Sequence, residues 1–148
     1  MITLLLADDD PDDRLLVEEA LEESDSAIEL RYVEDGEELV NYLLRQGRFV
    51  GPSSSPHPAL ILLDLKMPRK DGHQALREIK GNPELKRIPV VVLTTSRAEE
   101  DVARAYDSGA NSFVVKPTDF QTLVEVMKTL KGYWGKTVTL PPERNKGI

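Results

Sequence analysis

The chain has 148 residues, 40% of them hydrophobic and 30% charged, with a net charge of −7; that suits one soluble domain with a sizeable core. It contains no cysteine, which excludes disulfides, zinc–thiolate sites and iron–sulfur clusters, and no apolar run reaches membrane-spanning length. The acidic balance argues against a nucleic-acid partner, which needs a basic face, and with no secretory signal ahead of Ile2 a cytoplasmic chain is expected.

In chain order, "ITLLLA" (2–7) is short, rich in branched residues and apolar on both parities, the pattern of a strand covered on both faces. Asp8, Asp9 and Asp10 follow. Asp10 before Pro11 predicts an N-cap and first helical position, opening a helix over 11–24 with apolar residues at 15, 16, 20 and 21. "IELRYVE" (28–34) alternates, with Ile28, Leu30 and Tyr32 on one parity, and reads as an edge strand. "GEELVNYLLRQG" (36–47) predicts a helix that stops at its glycine. "VGPSSSPHPA" (50–59) reads as a mobile polar loop.

"ALILLDL" (59–65) is a buried strand interrupted by Asp64. Asp71-Gly72 is turn and helix-start chemistry, ahead of a helix over 73–81. "PVVVLTT" (89–95) is the fourth strand, and 98–109 a helix ending at Gly109. "SFVVK" (112–116) is the fifth strand. A helix over 119–132 presents Leu123, Val126, Met127 and Leu130 on one face. The tail 132–148 breaks the pattern and is either a strap across the body or partly disordered. His57 and His73 have no ligand partners at metal spacing and read as surface residues.

Strands and helices alternate five times. That implies an α/β fold, a parallel sheet with right-handed crossovers that place helices on both faces. One domain over 1–131 is expected, with 132–148 as an extension too short to be an output module. In such sheets ligands bind beyond the carboxyl ends of the strands. The unexpected polar residues fall there: Asp8 and Asp9 after the first strand, Asp64 at the end of the third, Thr94 of the fourth and Lys116 of the fifth.

Carboxylates crowded at one edge repel, and a divalent cation is the simplest compensation. An all-oxygen set with few protein ligands suits Mg²⁺. With Lys116 beside it, such a site can hold a phosphoryl group, Asp64 can attack phosphorus as a carboxylate nucleophile, and Thr94 can hydrogen-bond the product.

The segments "LLLADDDPDD", "ILLDLKMPRKDG", "VVVLTTS" and "FVVKP", in that order, resemble the receiver domain of bacterial two-component response regulators, over roughly residues 2–131. The resemblance implies a flavodoxin-like doubly wound sheet of order 2-1-3-4-5. It implies Asp64 as phosphoacceptor, Asp9 as a direct Mg²⁺ ligand, Asp8 acting through a bound water, and the Lys66 carbonyl as the remaining ligand. Thr94 and Lys116 then contact the phosphoryl group, Lys116-Pro117 matches a cis peptide bond, and Thr94 with Phe113 matches a switch pair that reshapes the face of helix four, strand five and helix five. The implied protein is a signalling switch whose only catalysis is its own phosphoryl transfer and dephosphorylation.

The insert "RQGRFVGPSSSPHPA" and the tail "YWGKTVTLP" resemble the stand-alone regulators paired with phytochrome-type histidine kinases. A sensor histidine kinase is the implied partner. A histidine phosphotransfer protein and a second copy of the chain, meeting near Phe113, Tyr133 and Trp134, are further candidates. Two other readings fail on the residues. A haloacid-dehalogenase-type phosphatase needs an acid two positions after its nucleophile, where this chain has Lys66. A flavodoxin-type electron carrier needs a hydroxyl- and glycine-rich phosphate loop where this chain has acids.

Overall fold

The computed structural model describes residues 2–23, 28–51 and 55–142. Five parallel strands run β1 (Ile2–Ala7), β2 (Ile28–Val33), β3 (Leu60–Leu63), β4 (Val90–Thr94) and β5 (Ser112–Val115), in spatial order β2-β1-β3-β4-β5. Between them lie α1 (Pro11–Glu23), α2 (Gly36–Leu44), α3 (Gly72–Gly81), α4 (Glu99–Asp107) and α5 (Phe120–Gly132). The flavodoxin-like order expected from the sequence is the one observed. No helix of the described residues is long and apolar enough to cross a membrane.

The apolar runs divide by parity, because successive strand side chains point to opposite faces. Leu4 and Leu6, Leu60 and Leu62, Val91 and Leu93 join Val17, Ala20, Leu21, Leu123, Val124 and Met127 in one core layer, under α1 and α5. Leu5 and Ala7, Ile61 and Leu63, Val90 and Val92 join residues of α2, α3 and α4 in the other. Burial on both faces is why these strands carry no alternation in the sequence.

Several local expectations are corrected. α1 buries Val17, Ala20 and Leu21, whereas Leu15 and Leu16 are exposed: the sheet takes the i, i+4, i+7, i+8 stripe that begins at Asp13. α2 ends at Leu44 and not at Gly47. Arg45 takes the left-handed conformation at φ 55°, and its N–H meets the Asn41 and Tyr42 carbonyls; Gly47 opens a separate 3₁₀ turn. Tyr32 does not share the burial of Ile28 and Leu30; it is exposed beneath the Arg14 guanidinium, 4.6 Å from the ring centre.

The loop over 50–59 is tied down where it is described; residues 52–54 lie outside the described residues. Ser55 is buried and donates to the Phe49 and Gly51 carbonyls, and the Tyr42 hydroxyl donates to the Pro56 carbonyl. His73 is buried rather than on the surface, and His57 is half-buried. The tail extends α5 through a π-type turn, Tyr133–Thr137. Trp134 packs on the α1–α5 core layer while Tyr133 stays exposed. Residues 143–148 lie outside the described residues.

Candidate functional site

Three of the expected site residues are each fixed by a ladder hydrogen bond one step past a strand. The Asp8 N–H donates to the Val33 carbonyl (3.1 Å), Asp64 N–H to the Ala7 carbonyl (3.0 Å) and Lys116 N–H to the Thr94 carbonyl (2.7 Å). Continuing the strand alternation (4, 6, 8; 60, 62, 64; 114, 116) aims Asp8, Asp64 and Lys116 toward the α1 side of the edge. Asp8 and Thr94 are fully buried and Asp64 nearly so.

Both oxygens of the Asp64 carboxylate are engaged. Thr94 Oγ1 donates to Oδ1 at 2.9 Å, and Lys116 Nζ to Oδ2 at 3.1 Å. The Lys66 N–H also approaches Oδ1, at 3.3 Å. Lys116 Nζ further donates to Asp8 Oδ2 and Asp13 Oδ2, both at 2.8 Å. The carboxylate oxygens of Asp8, Asp13 and Asp64 come within 4.8 Å of one another. One ammonium therefore faces three carboxylates. Burial pushes the Asp8 carboxyl up, against the Lys116 and Asp10 hydrogen bonds that pull it down. Burial by itself would lower the Lys116 ammonium, but the hydrogen bonds to Asp13 and Asp8 and the charges of Asp64 and Asp8 outweigh it and raise it.

Lys116 gathers these groups from a trans linkage: no peptide bond among the described residues is cis, Lys116-Pro117 included. Trans is the lower-energy form of an X–Pro bond unless tertiary contacts override it. Asp9 is exposed on the bend after β1 and is not in the carboxylate group. Phe113 is half-buried against the layer under α2–α4. Asp10 caps α1 as expected, accepting from the Asp12 N–H at 2.9 Å.

The loop after Asp64 is clamped at both ends. A Cβ on Gly72 would lie 2.3 Å from the Asp64 carbonyl oxygen, so only glycine lets α3 start against the backbone of Asp64; Asp71 caps that helix through the Gln74 N–H. At the other end Gly36 N–H donates to the Lys70 carbonyl at 2.8 Å. The buried Asp35 carboxylate caps α2 through Glu38 N–H and takes two hydrogen bonds from Arg69.

Two features went unread in the sequence. Asp13 is one, and its signal was available: it is the acid that extends the buried stripe of Val17, Ala20 and Leu21 by one turn toward the edge. The other is a half-buried chain of polar side chains beside Thr94. Ser96 Oγ donates to Asp101 Oδ2 at 2.5 Å, and His73 Nε2 lies 3.0 Å from Asp101 Oδ1. His73 Nδ1 is buried without a hydrogen-bond partner, so Nε2 is the nitrogen that serves Asp101.

The all-oxygen carboxylate group fits a hard divalent cation, which takes oxygen ligands. A model of the response regulator receiver domain matches residues 4–128. The response regulator Rcp1 of Synechocystis is 44% identical over 138 residues, 93% of this chain and 92% of that protein. Among solved structures, the phosphorylated cyanobacterial phytochrome response regulator RcpA has 39% identity and a TM-score of 0.87, covering 95% of this chain and 99% of that one. The Mn²⁺-bound form of Rcp1 has 42% identity and a TM-score of 0.86, covering 96% and 100%.

Proposed function

The chain belongs to the response regulator receiver family, a family of signalling proteins, and on that premise we propose that Asp64 accepts a phosphoryl group from the phosphohistidine of a sensor histidine kinase. The observation that carries this is the double grip on Asp64, Thr94 on one oxygen and Lys116 on the other. A lone pair on an Asp64 oxygen attacks phosphorus, the P–N bond to the donor imidazole breaks as the P–O bond forms, and the electron pair leaves on that nitrogen. Lys116 faces the charge that builds on the phosphoryl oxygens, and the Thr94 hydroxyl turns its proton from Oδ1 to one of them.

Mg²⁺ is the cation proposed, with Asp8, Asp9, Asp64 and the Lys66 carbonyl as its protein ligands; it would neutralise charge between two anions. The oxygen-only donors and the carboxylates in excess over the Lys116 ammonium support this. The same residues would hydrolyse the aspartyl phosphate, so that the chain catalyses only its own modification. Output is proposed through the surface of α4, β5 and α5, with Thr94 and Phe113 as the moving pair. A phytochrome-type kinase is the proposed donor, supported by the likeness to RcpA. We place the protein in the cytoplasm, with residues 1–131 as the receiver and the rest as its extension.

Acetyl phosphate with Mg²⁺ labels the native protein, and the Asp64→Asn variant takes up none. Full labelling of that variant would move the acceptor elsewhere, and indifference of the native protein to chelation would remove the metal from the reading. Phosphotransfer to purified histidine phosphotransfer proteins separates a relay from a binding output, and light scattering of the phosphorylated form tests for a dimer.

A further inference from the structure

We infer that Asp13 is a positioning residue: it holds the Lys116 ammonium on the α1 side of the site, so that Asp8 and Asp64 can turn to a cation while the ammonium stays in the cleft. The inference rests on the metal and acceptor assignment above and adds a residue to it.

An ammonium has three N–H donors, and the three carboxylates around Lys116 Nζ match them: Asp8 at 2.8 Å, Asp13 at 2.8 Å and Asp64 at 3.1 Å. These three are not equivalent. Asp8 and Asp64 are almost wholly enclosed, whereas the Asp13 side chain is one-third exposed, at 33%. Asp8 and Asp64 follow directly on β1 and β3 at the bottom of the cleft. Asp13 stands above them, in the first turn of α1 on the helix face that buries Val17, Ala20 and Leu21. That packing makes it a fixed post rather than a loop side chain, and a carboxylate is favoured in a helix's first turn.

A cation that takes up Asp8 and Asp64 competes with Lys116 for the same two carboxylates. With only those partners, Lys116 would either block the cation or be expelled by it. Asp13 offers a third partner outside the proposed ligand set. It keeps the ammonium near the place where phosphoryl oxygens arrive. The rival role is that Asp13 is itself a ligand, since its oxygen lies in the same group as those of Asp8 and Asp64. The two roles predict opposite couplings with Lys116.

The test is a double-mutant cycle on Mn²⁺ binding by the full chain, read by electron paramagnetic resonance of the free ion, with Asp13→Asn, Lys116→Met and both together. Loss of one nearby negative charge weakens binding in either background. If Asp13 acts through Lys116, the loss is greater with Lys116 present than in Lys116→Met, by about 3- to 10-fold. An equal loss, or a larger one without Lys116, overturns the inference in favour of direct ligation or a remote charge effect. Absence of Mn²⁺ binding by the native chain would instead overturn the underlying metal assignment.

A second readout needs only the near-isosteric Asp13→Asn variant: the ζ-nitrogen NMR signal of Lys116. On adding Mg²⁺ the native signal persists, protected from exchange with water, and the variant's is lost. The same behaviour in both proteins refutes the positioning role, and Asp13→Glu, which keeps the charge, should restore protection.

Discussion

The same substitution at the two ends of one helix should have opposite signs. Gly72 and Gly81 are the first and last residues of α3, and neither has a positive φ. In open space, alanine for glycine at such positions stabilises by about 0.4–1 kcal/mol, because it restricts the unfolded chain. Gly81 has nothing within 4 Å of its would-be Cβ, so Gly81→Ala follows the rule and raises Tm by roughly 1–4 °C for a chain of this size. At Gly72 the added carbon would meet the Asp64 carbonyl oxygen at 2.3 Å and the Leu65 Cα at 2.6 Å, where ordinary contact begins at 3.4 Å. Backbone on both sides must then part by about 1 Å, and overpacking of that kind costs about 1–3 kcal/mol. Gly72→Ala should therefore lower Tm by roughly 3–10 °C. Because the displaced atoms belong to Asp64 and its neighbour, acetyl-phosphate labelling should fall with it. Urea unfolding at unchanged m-value measures the first effect. A Gly72→Ala protein as stable and as readily labelled as Gly81→Ala would refute the claim that this close approach fixes Asp64.

Two further outcomes are expected. The Ser96 hydrogen bond, with that of His73 second, holds the Asp101 carboxyl below the usual range; a depressed folded value gives stability that is complete above the unfolded value and lost as pH falls through the folded one. The Tm difference between the native chain and Asp101→Asn should thus shrink as pH drops below about 4, and a difference constant through that window would show the pairing to be inert. Lys80 Nζ gathers the Ile88 carbonyl (2.7 Å), the Lys86 carbonyl (3.0 Å) and Asn111 Oδ1 (3.3 Å), joining the end of α3 to the starts of β4 and β5. Lys80→Met keeps the stem and removes the donors, and should lower stability by about 1–2 kcal/mol; an unchanged denaturation midpoint would show water to be an adequate substitute.

The sheet was legible because strands buried on both faces must be apolar at every position, so a polar residue at a strand's end stands out. Asp64, Thr94 and Lys116 were found in that way. Residues on helices were harder. Leu15 and Leu16 are larger and more apolar than Val17 and Ala20, and hydrophobicity alone picks them as the inner face of α1. Only the spacing of 13, 17, 20 and 21 points the other way, and it would have exposed Asp13 as an acid in a core position. His73 could not be placed from sequence, because its partner lies 28 positions away and nothing local marks the meeting of α3 with α4. Arg45 ends α2 in a conformation usually left to glycine, and the nearby Gly47 drew the boundary outward. Lys116 shows the limit of resemblance: the implied cis bond to Pro117 is trans, and the ammonium lies among three carboxylates all the same.

Three attachments of Asp64 lead to three elements. Its carbonyl lies against Gly72 and so against α3; Oδ1 is bonded to Thr94, hence to β4; Oδ2 is bonded to Lys116, hence to β5. The first two meet again away from the site. His73, next to Gly72 on α3, pairs with Asp101 on α4, and Asp101 holds Ser96, two residues beyond Thr94. This closes a ring from α3 through α4 to the β4–α4 connection and back to Asp64. On the proposed phosphorylation of Asp64, a shift of Thr94 toward a phosphoryl oxygen would pull on this ring through Ser96. That pull would fall on the short Ser96–Asp101 hydrogen bond and on the Asp101–His73 pair between α4 and α3. The third attachment runs on through Lys116 to Asp8, after β1, and to Asp13 on α1. On that proposal, a charge change at Asp64 would act on α4 through this ring and on Lys116 by exchange of partners.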